Sequence, residues 1–179
     1  LSSCVSMANS KAEAIIRQLK LEPLPVEGGL FRQSWRSRVE LDGKPAGTCI
    51  IAMFTADLDS FSALHRLPND EIWHFYAGDP IDLVLLHPHG RSEHVTLGAD
   101  ILHGQRCQFV VPAGTWMGAS LVPGASYGLF GCTMAPGFTA VSYEGGDRDQ
   151  LIAQYPNERA TITRLTRPNV PVNRMPSGY

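Results

Sequence analysis

A histidine and a carboxylate in an aromatic setting, His65 and Glu71, stand out in the run SALHRLPNDEIWHFYAG at residues 62–78, and such a pair can move a proton. If residues 71–76 form a strand, Glu71, Trp73 and Phe75 share one face, and Ile72, His74 and Tyr76 share the other. Burying a carboxylate among large aromatics is costly without a partner, and His65, arriving from the preceding turn, is the expected one. A carboxylate bonded to imidazole fixes its tautomer and raises its basicity, which suits proton abstraction beside a carbonyl near neutral pH. Arg32 is placed to clamp a carboxylate or phosphate on a ligand. The alternative is that Arg32 pairs with Glu71 and the aromatics simply fill a core.

These residues need a β framework, and the turn chemistry supplies one. Gly28-Gly29 leads into a strand through LFRQSWRS, which carries Arg32 and Ser34. Further strands are predicted at 47–55, 81–86, 93–97, 106–111, 117–122 and 127–134, each bounded by Gly, Pro or Asp turns such as HPHG, PAGTW, PGAS and APGF. Eight or so short strands with little helix between them predict an antiparallel barrel or jelly roll. Two helices frame it. Ala12, Ile15, Ile16 and Leu19 recur at helical spacing after a cap at Asn9 or Ser10, and DRDQLIAQYP forms a short helix capped by Asp147. The tail from Thr166 is expected to be extended over the surface or against a neighbour.

Composition excludes several functions. The 179 residues, 44% hydrophobic, carry a net charge of −2 and a pI near 6.3, so nothing draws the chain to nucleic acid or an anionic membrane. No apolar run reaches the length of a membrane span. Cys4, Cys49, Cys107 and Cys132 form no CxxC pair. They predict three small buried hydrophobes and one free thiol near the terminus, which favours a reducing, cytoplasmic setting.

The run HRLPNDEIWHFYAGDP, then VPAGTWMGA and GCTMAPGF, resembles the RmlC-like cupin superfamily, and within it the small cupins of the fifth family, long filed as a domain of unknown function. EGGLFRQSWRS and YEGGDRDQLIAQYP resemble that group as well. The resemblance implies an all-β fold, a double-stranded β-helix with a pocket between its sheets, usually dimeric. It implies one cupin domain, placed at residues 11–165, while the polar, small-residue stretch at 1–10 reads as disordered or processed and the Pro- and Asn-rich 166–179 as an extended tail. Cupins that hold a divalent ion resemble a pattern of paired histidines, a glutamate, and a histidine after a Pro-x-Gly turn. Here His65 and Glu71 match, whereas Ala63 and Met117 stand at the other two positions. No metal is therefore favoured as cofactor, and if one binds, His65 and Glu71 are its ligands. His74 or His103 would complete such a site from outside the family pattern.

The expected site then consists of His65 as base and Glu71 as its orienting partner or acid. Arg32, Ser34, Trp73, Phe75, Trp116, Met117, Phe130 and Cys132 would contact a cyclic or carboxylate-bearing small molecule. His87 and His89 read as an exposed pair in a turn, His94 and His103 as loop positions, and His74 as a hydrogen-bonded packing residue. The expected activity is that of an isomerase, epimerase, cyclase or lyase working by proton transfer. The alternative is a cupin that binds a small ligand without turning it over, and a metal-dependent enzyme is a third option. A two-fold dimer covering the strand near residues 30–39 would protect the sheet edges.

Overall fold

The computed structural model describes residues 2–167 and 175–176, with side chains described from Lys11 onward. Its strands in chain order are β1 (Glu22–Pro23), β2 (Leu30–Arg36), β3 (Glu40–Leu41), β4 (Lys44–Pro45), β5 (Thr48–Thr55), β6 (Phe61–Arg66), β7 (Glu71–Gly78), β8 (Ile81–Leu86), β9 (Ser92–Leu97), β10 (Gln108–Val111), β11 (Trp116–Leu121), β12 (Tyr127–Met134) and β13 (Glu144–Gly145). The helices are α1 (Ser2–Leu19), α2 (Arg148–Gln154) and α3 (Arg159–Arg164). Every pairing between these strands is antiparallel. One sheet runs β1-β2-β5-β12-β7-β10 and the facing sheet β13-β6-β11-β8-β9, with β3-β4 a separate hairpin. This is the jelly roll expected from the turn pattern.

Alternation along the strands builds the interior. Ile81, Leu83 and Leu85 of β8 face Trp73, Phe130, Met117 and Phe54 in one buried cluster between the sheets. A second cluster lies outside the smaller sheet, where Leu151 of α2 and Ile162 of α3 cover Ala63, Leu64, Val84 and Leu86. The third lies outside the larger sheet: Ala12 of α1, with Ile15, Ile16 and Leu19, packs on Met53, Ile51 and Tyr127. No helix among the described residues is long and apolar enough to cross a membrane.

Some boundaries differ from the sequence reading. Helix α1 starts at Ser2, so Asn9 and Ser10 lie inside it and do not cap it. Asp147 does cap α2, its side chain accepting from the Gln150 N–H. Helix α3 follows Pro156, which the sequence reading took as an end, and a proline is equally at home in a first helical turn. Of the tail, Thr166 and Met175 are buried and Arg167 is held by hydrogen bonds, and the rest of 166–179 lies largely outside the described residues. Cys132 is buried, Cys49 half-buried and Cys107 exposed, so Cys107 is not the buried hydrophobe predicted, and the Cys4 side chain lies outside the described residues.

Candidate functional site

His65 is carried by strand β6, not by a turn, and it is only 2% exposed. Its Nδ1 lies 2.8 Å from the carbonyl oxygen of Ala63. A carbonyl only accepts, so Nδ1 carries the hydrogen, and in the neutral ring Nε2 is left as the basic nitrogen. The ring stacks on Tyr143, with centroids 5.1 Å apart, which fixes its plane.

The carboxylate nearest His65 is Glu27, which the sequence reading passed over. Its Oε2 lies 4.0 Å from Nε2, while Oε1 accepts a 2.7 Å hydrogen bond from the Ser62 hydroxyl. Backbone bonds hold the Glu27 loop against β6. The Ala63 N–H donates to the Glu27 carbonyl, and so does the Arg167 guanidinium at 2.7 Å. Gly28 makes that crossing possible. It has φ +103, and a side chain there would meet Arg167 and the carbonyl of Phe61.

Glu71 opens β7 and shares its inward face with Trp73, as alternation predicts. The Trp73 indole N–H donates to Glu71 Oε2 at 2.8 Å, so the aromatic supplies the partner assigned to His65 in the sequence reading. No His65–Glu71 hydrogen bond forms among the described residues. Burial pushes the Glu71 carboxyl up to about 7. The His65 charge and the Trp73 bond pull it down, and Glu27 adds to the rise. Burial, then Glu71 and Glu27, likewise push the Cys132 thiol well up, so it stays protonated. The Tyr143 phenol is also raised, chiefly by burial.

Glu27, His65, Glu71, Phe130 and Cys132 line a cavity of about 690 Å³, enclosed further by Phe31, Ile50, Phe54, Leu67 and Phe138. Met175 closes one side, and Lys20, Glu22, Arg32, Gln33 and Arg36 also border it. A mostly apolar volume of this size with a few convergent polar groups is the usual form of a small-molecule site.

Other expected residues fall elsewhere. Trp73 is buried behind the cavity, stacked on Phe130 at 4.9 Å, and Phe75 packs against the same core. Met117 pairs in register with His65 and is buried between the sheets, so Trp116, its neighbour, points out of the barrel. Trp116 packs on the second cluster beneath the Arg66 guanidinium and is not a ligand contact in the cavity. Ser34 sits at a bulge of β2, donating to the Cys49 carbonyl, and does not line the cavity. Arg32 makes no ion pair with Glu71 among the described residues. His74 is hydrogen-bonded to Thr133 on the outer face, as a packing residue, and His87 is bonded to Glu93 rather than free.

A sequence profile described as Cupin superfamily (DUF985), the fifth cupin family, matches residues 13–145. The chain belongs to this cupin family. Among solved structures, a Shewanella oneidensis protein is 34% identical, with a TM-score of 0.80 over 88% of this chain and 98% of that one. A hypothetical protein from Leishmania major is 32% identical, again with a TM-score of 0.80, over 88% and 99%. At 13% identity the oxalate decarboxylase of Lactobacillus farciminis, in a formate complex, shares the fold, with a TM-score of 0.51 over 83% of this chain and 42% of its own. No functionally curated protein matches the chain.

The cupin metal pattern does not fit this donor set. β6 bulges between Ser62 and His65, and the Ala63 side chain belongs to the second cluster, outside the sheet that carries His65 inward. Met117 offers a thioether, His65 Nδ1 is engaged by a carbonyl, and Glu71 Oε2 by an indole. His74 lies on the outer face and His103 in an exposed turn bonded to Asp100, so neither completes a ligand set. Among the described residues no three His, Cys, Asp or Glu side chains gather as a metal-holding group.

Proposed function

We propose that this cupin is a proton-transfer enzyme of the isomerase, epimerase or lyase type, acting on a C–H beside a carbonyl. The observation that carries the reading is a buried carboxyl with a pKa of about 7, Glu71, sharing a cavity with an imidazole whose tautomer a main-chain carbonyl fixes. His65 Nε2 takes the proton, and Glu71, which burial keeps protonated below about pH 7, donates one to the oxyanion or to the opposite face of the carbanion. Glu27 Oε2, 4.0 Å from Nε2, stabilises the imidazolium that forms, without itself receiving the proton. The apolar walls exclude water from the intermediate. Because the acid must carry its proton, turnover falls as pH rises through about 7.

Non-catalytic binding is the second reading, favoured by how much of the cavity wall is apolar. One substitution separates the two. In a catalyst His65→Ala abolishes turnover and leaves ligand affinity within about tenfold, and in a binder it changes affinity alone. Retained turnover in that variant would overturn the proposal.

A further inference from the structure

The bulge in β2 decides which arginine looks into the cavity. Ahead of it, Phe31 pairs with Ala52 and Gln33 with Ile50, both cavity residues, while Arg32 pairs with Ile51, whose side chain packs outside the sheet against α1. Simple alternation would carry Trp35 inward next. The extra residue at Ser34 shifts the parity, so that Trp35 pairs with Cys49 and Arg36 with Thr48. Thr48 lines the cavity, whereas Cys49 bonds to Thr133, which in turn bonds to His74 on the outer face. The indole is accordingly half-exposed, and Arg36 stands at the cavity mouth.

The mouth is also the basic end of the pocket. Lys20, Arg32 and Arg36 border it against the single acid Glu22, while the carboxylates Glu27 and Glu71 sit beside His65. Arg36 has one charged partner among the described residues, Glu40, at 3.8 Å and well exposed, a separation beyond a hydrogen bond and screened by water. In register, Thr48 of β5 and Met134 of β12 stand between Arg36 and Glu71, and the apolar Ile50, Phe130 and Phe138 line the same cavity. That lining offers few of the hydrogen-bonding groups that a sugar would require.

We propose that Arg36, re-aimed by the Ser34 bulge, is the anion-recognition residue of this cavity, and that the ligand is a flat, apolar organic acid. Its anionic group meets Arg36 at the mouth while its far end reaches His65 and Glu71. The assignment of the far end rests on the proton-transfer reading, and the role of Arg36 does not.

Two matched probes test it by fluorescence titration: 8-anilinonaphthalene-1-sulfonate, which is anionic, and N-phenyl-1-naphthylamine, the same body without the charge. Arg36→Gln is expected to weaken the sulfonate about tenfold or more, the loss of a charge-assisted contact, and to leave the neutral amine within about twofold. The loss should be larger for Arg36→Gln than for Arg32→Gln, because Arg32 borders the cavity from an outward register position on β2 and Arg36 from an inward one. Equal effects on both probes, no effect of Arg36→Gln, or a loss at least as large for Arg32→Gln would each overturn the proposal. Since binding is read without turnover, a failure here is distinct from a failure of the His65 and Glu71 chemistry.

Discussion

Replacing Glu71 by glutamine tests the physics of the site without knowledge of a substrate. The amide is nearly isosteric, and its oxygen still accepts the Trp73 N–H that now reaches Glu71 Oε2 at 2.8 Å. Only the ionisation is lost. In the fold the carboxyl titrates at about 7 against an ordinary value of 4.5, chiefly because burial opposes the charge. With the folded value above the unfolded one, the native protein carries no ionisation penalty below the unfolded pKa. The penalty grows as pH rises through this window and is complete above about 7. The interval corresponds to about 3 kcal/mol. Urea unfolding of both proteins from about pH 4 to about pH 8 should therefore show the stability difference moving by about 3 kcal/mol in favour of Glu71→Gln. Any constant cost of the amide cancels in that comparison. A difference that stays flat across the range would refute the argument that Glu71 is a buried, proton-holding acid.

Other expectations follow from the same geometry. Gly28→Ala forces a left-handed residue against the Phe61 carbonyl and Arg167, and should cost at least about 2 kcal/mol in denaturant unfolding. A smaller cost would mean the Glu27 loop shifts freely. Burial raises the Glu158 carboxyl, but hydrogen bonds from Ser92, Thr161 and His94 and the His94 charge outweigh it, leaving its pKa below the ordinary value. That contribution is present above the unfolded pKa and is lost as pH falls through the folded one, so Ser92→Ala should weaken the protein at neutral pH and converge with wild type in acid. Beyond Leu30 and Phe31 the outer edge of β2 has no strand partner among the described residues, and Trp35 is 51% exposed beside it. We expect a second copy to cover it, and light scattering should return about twice the 19.5 kDa chain mass, a monomer counting against it.

Turn punctuation made the framework readable. β8 and β12 end where HPHG and APGF predict, because Gly and Pro stop a strand whatever packs on it. The shared face of Glu71 and Trp73 was equally legible, since it needs only the two-residue repeat. Parity across irregularities was not. Trp116 and Met117 are adjacent on β11 and cannot both face the cavity, and the bulge at Ser34 inverts the pattern along β2. Glu27 left no periodic signal: it lies in a loop before two glycines and meets Ser62 and His65 only after the chain has folded back. The expected His65–Glu71 bond failed for a related reason, because indole and carboxylate two residues apart on one strand face already satisfy each other.

Hydrogen exchange at a bound ligand reports the central claim most directly. The protein is isolated with whatever small molecule it retains, identified by native mass spectrometry, and that molecule is incubated with fresh protein in deuterium oxide. Proton transfer through His65 predicts deuterium at one carbon of the ligand with wild type, and none with His65→Ala even when binding persists. A ligand that binds in the cavity for hours without exchange, or exchanges equally with His65→Ala, would contradict the account and leave this cupin a binding protein.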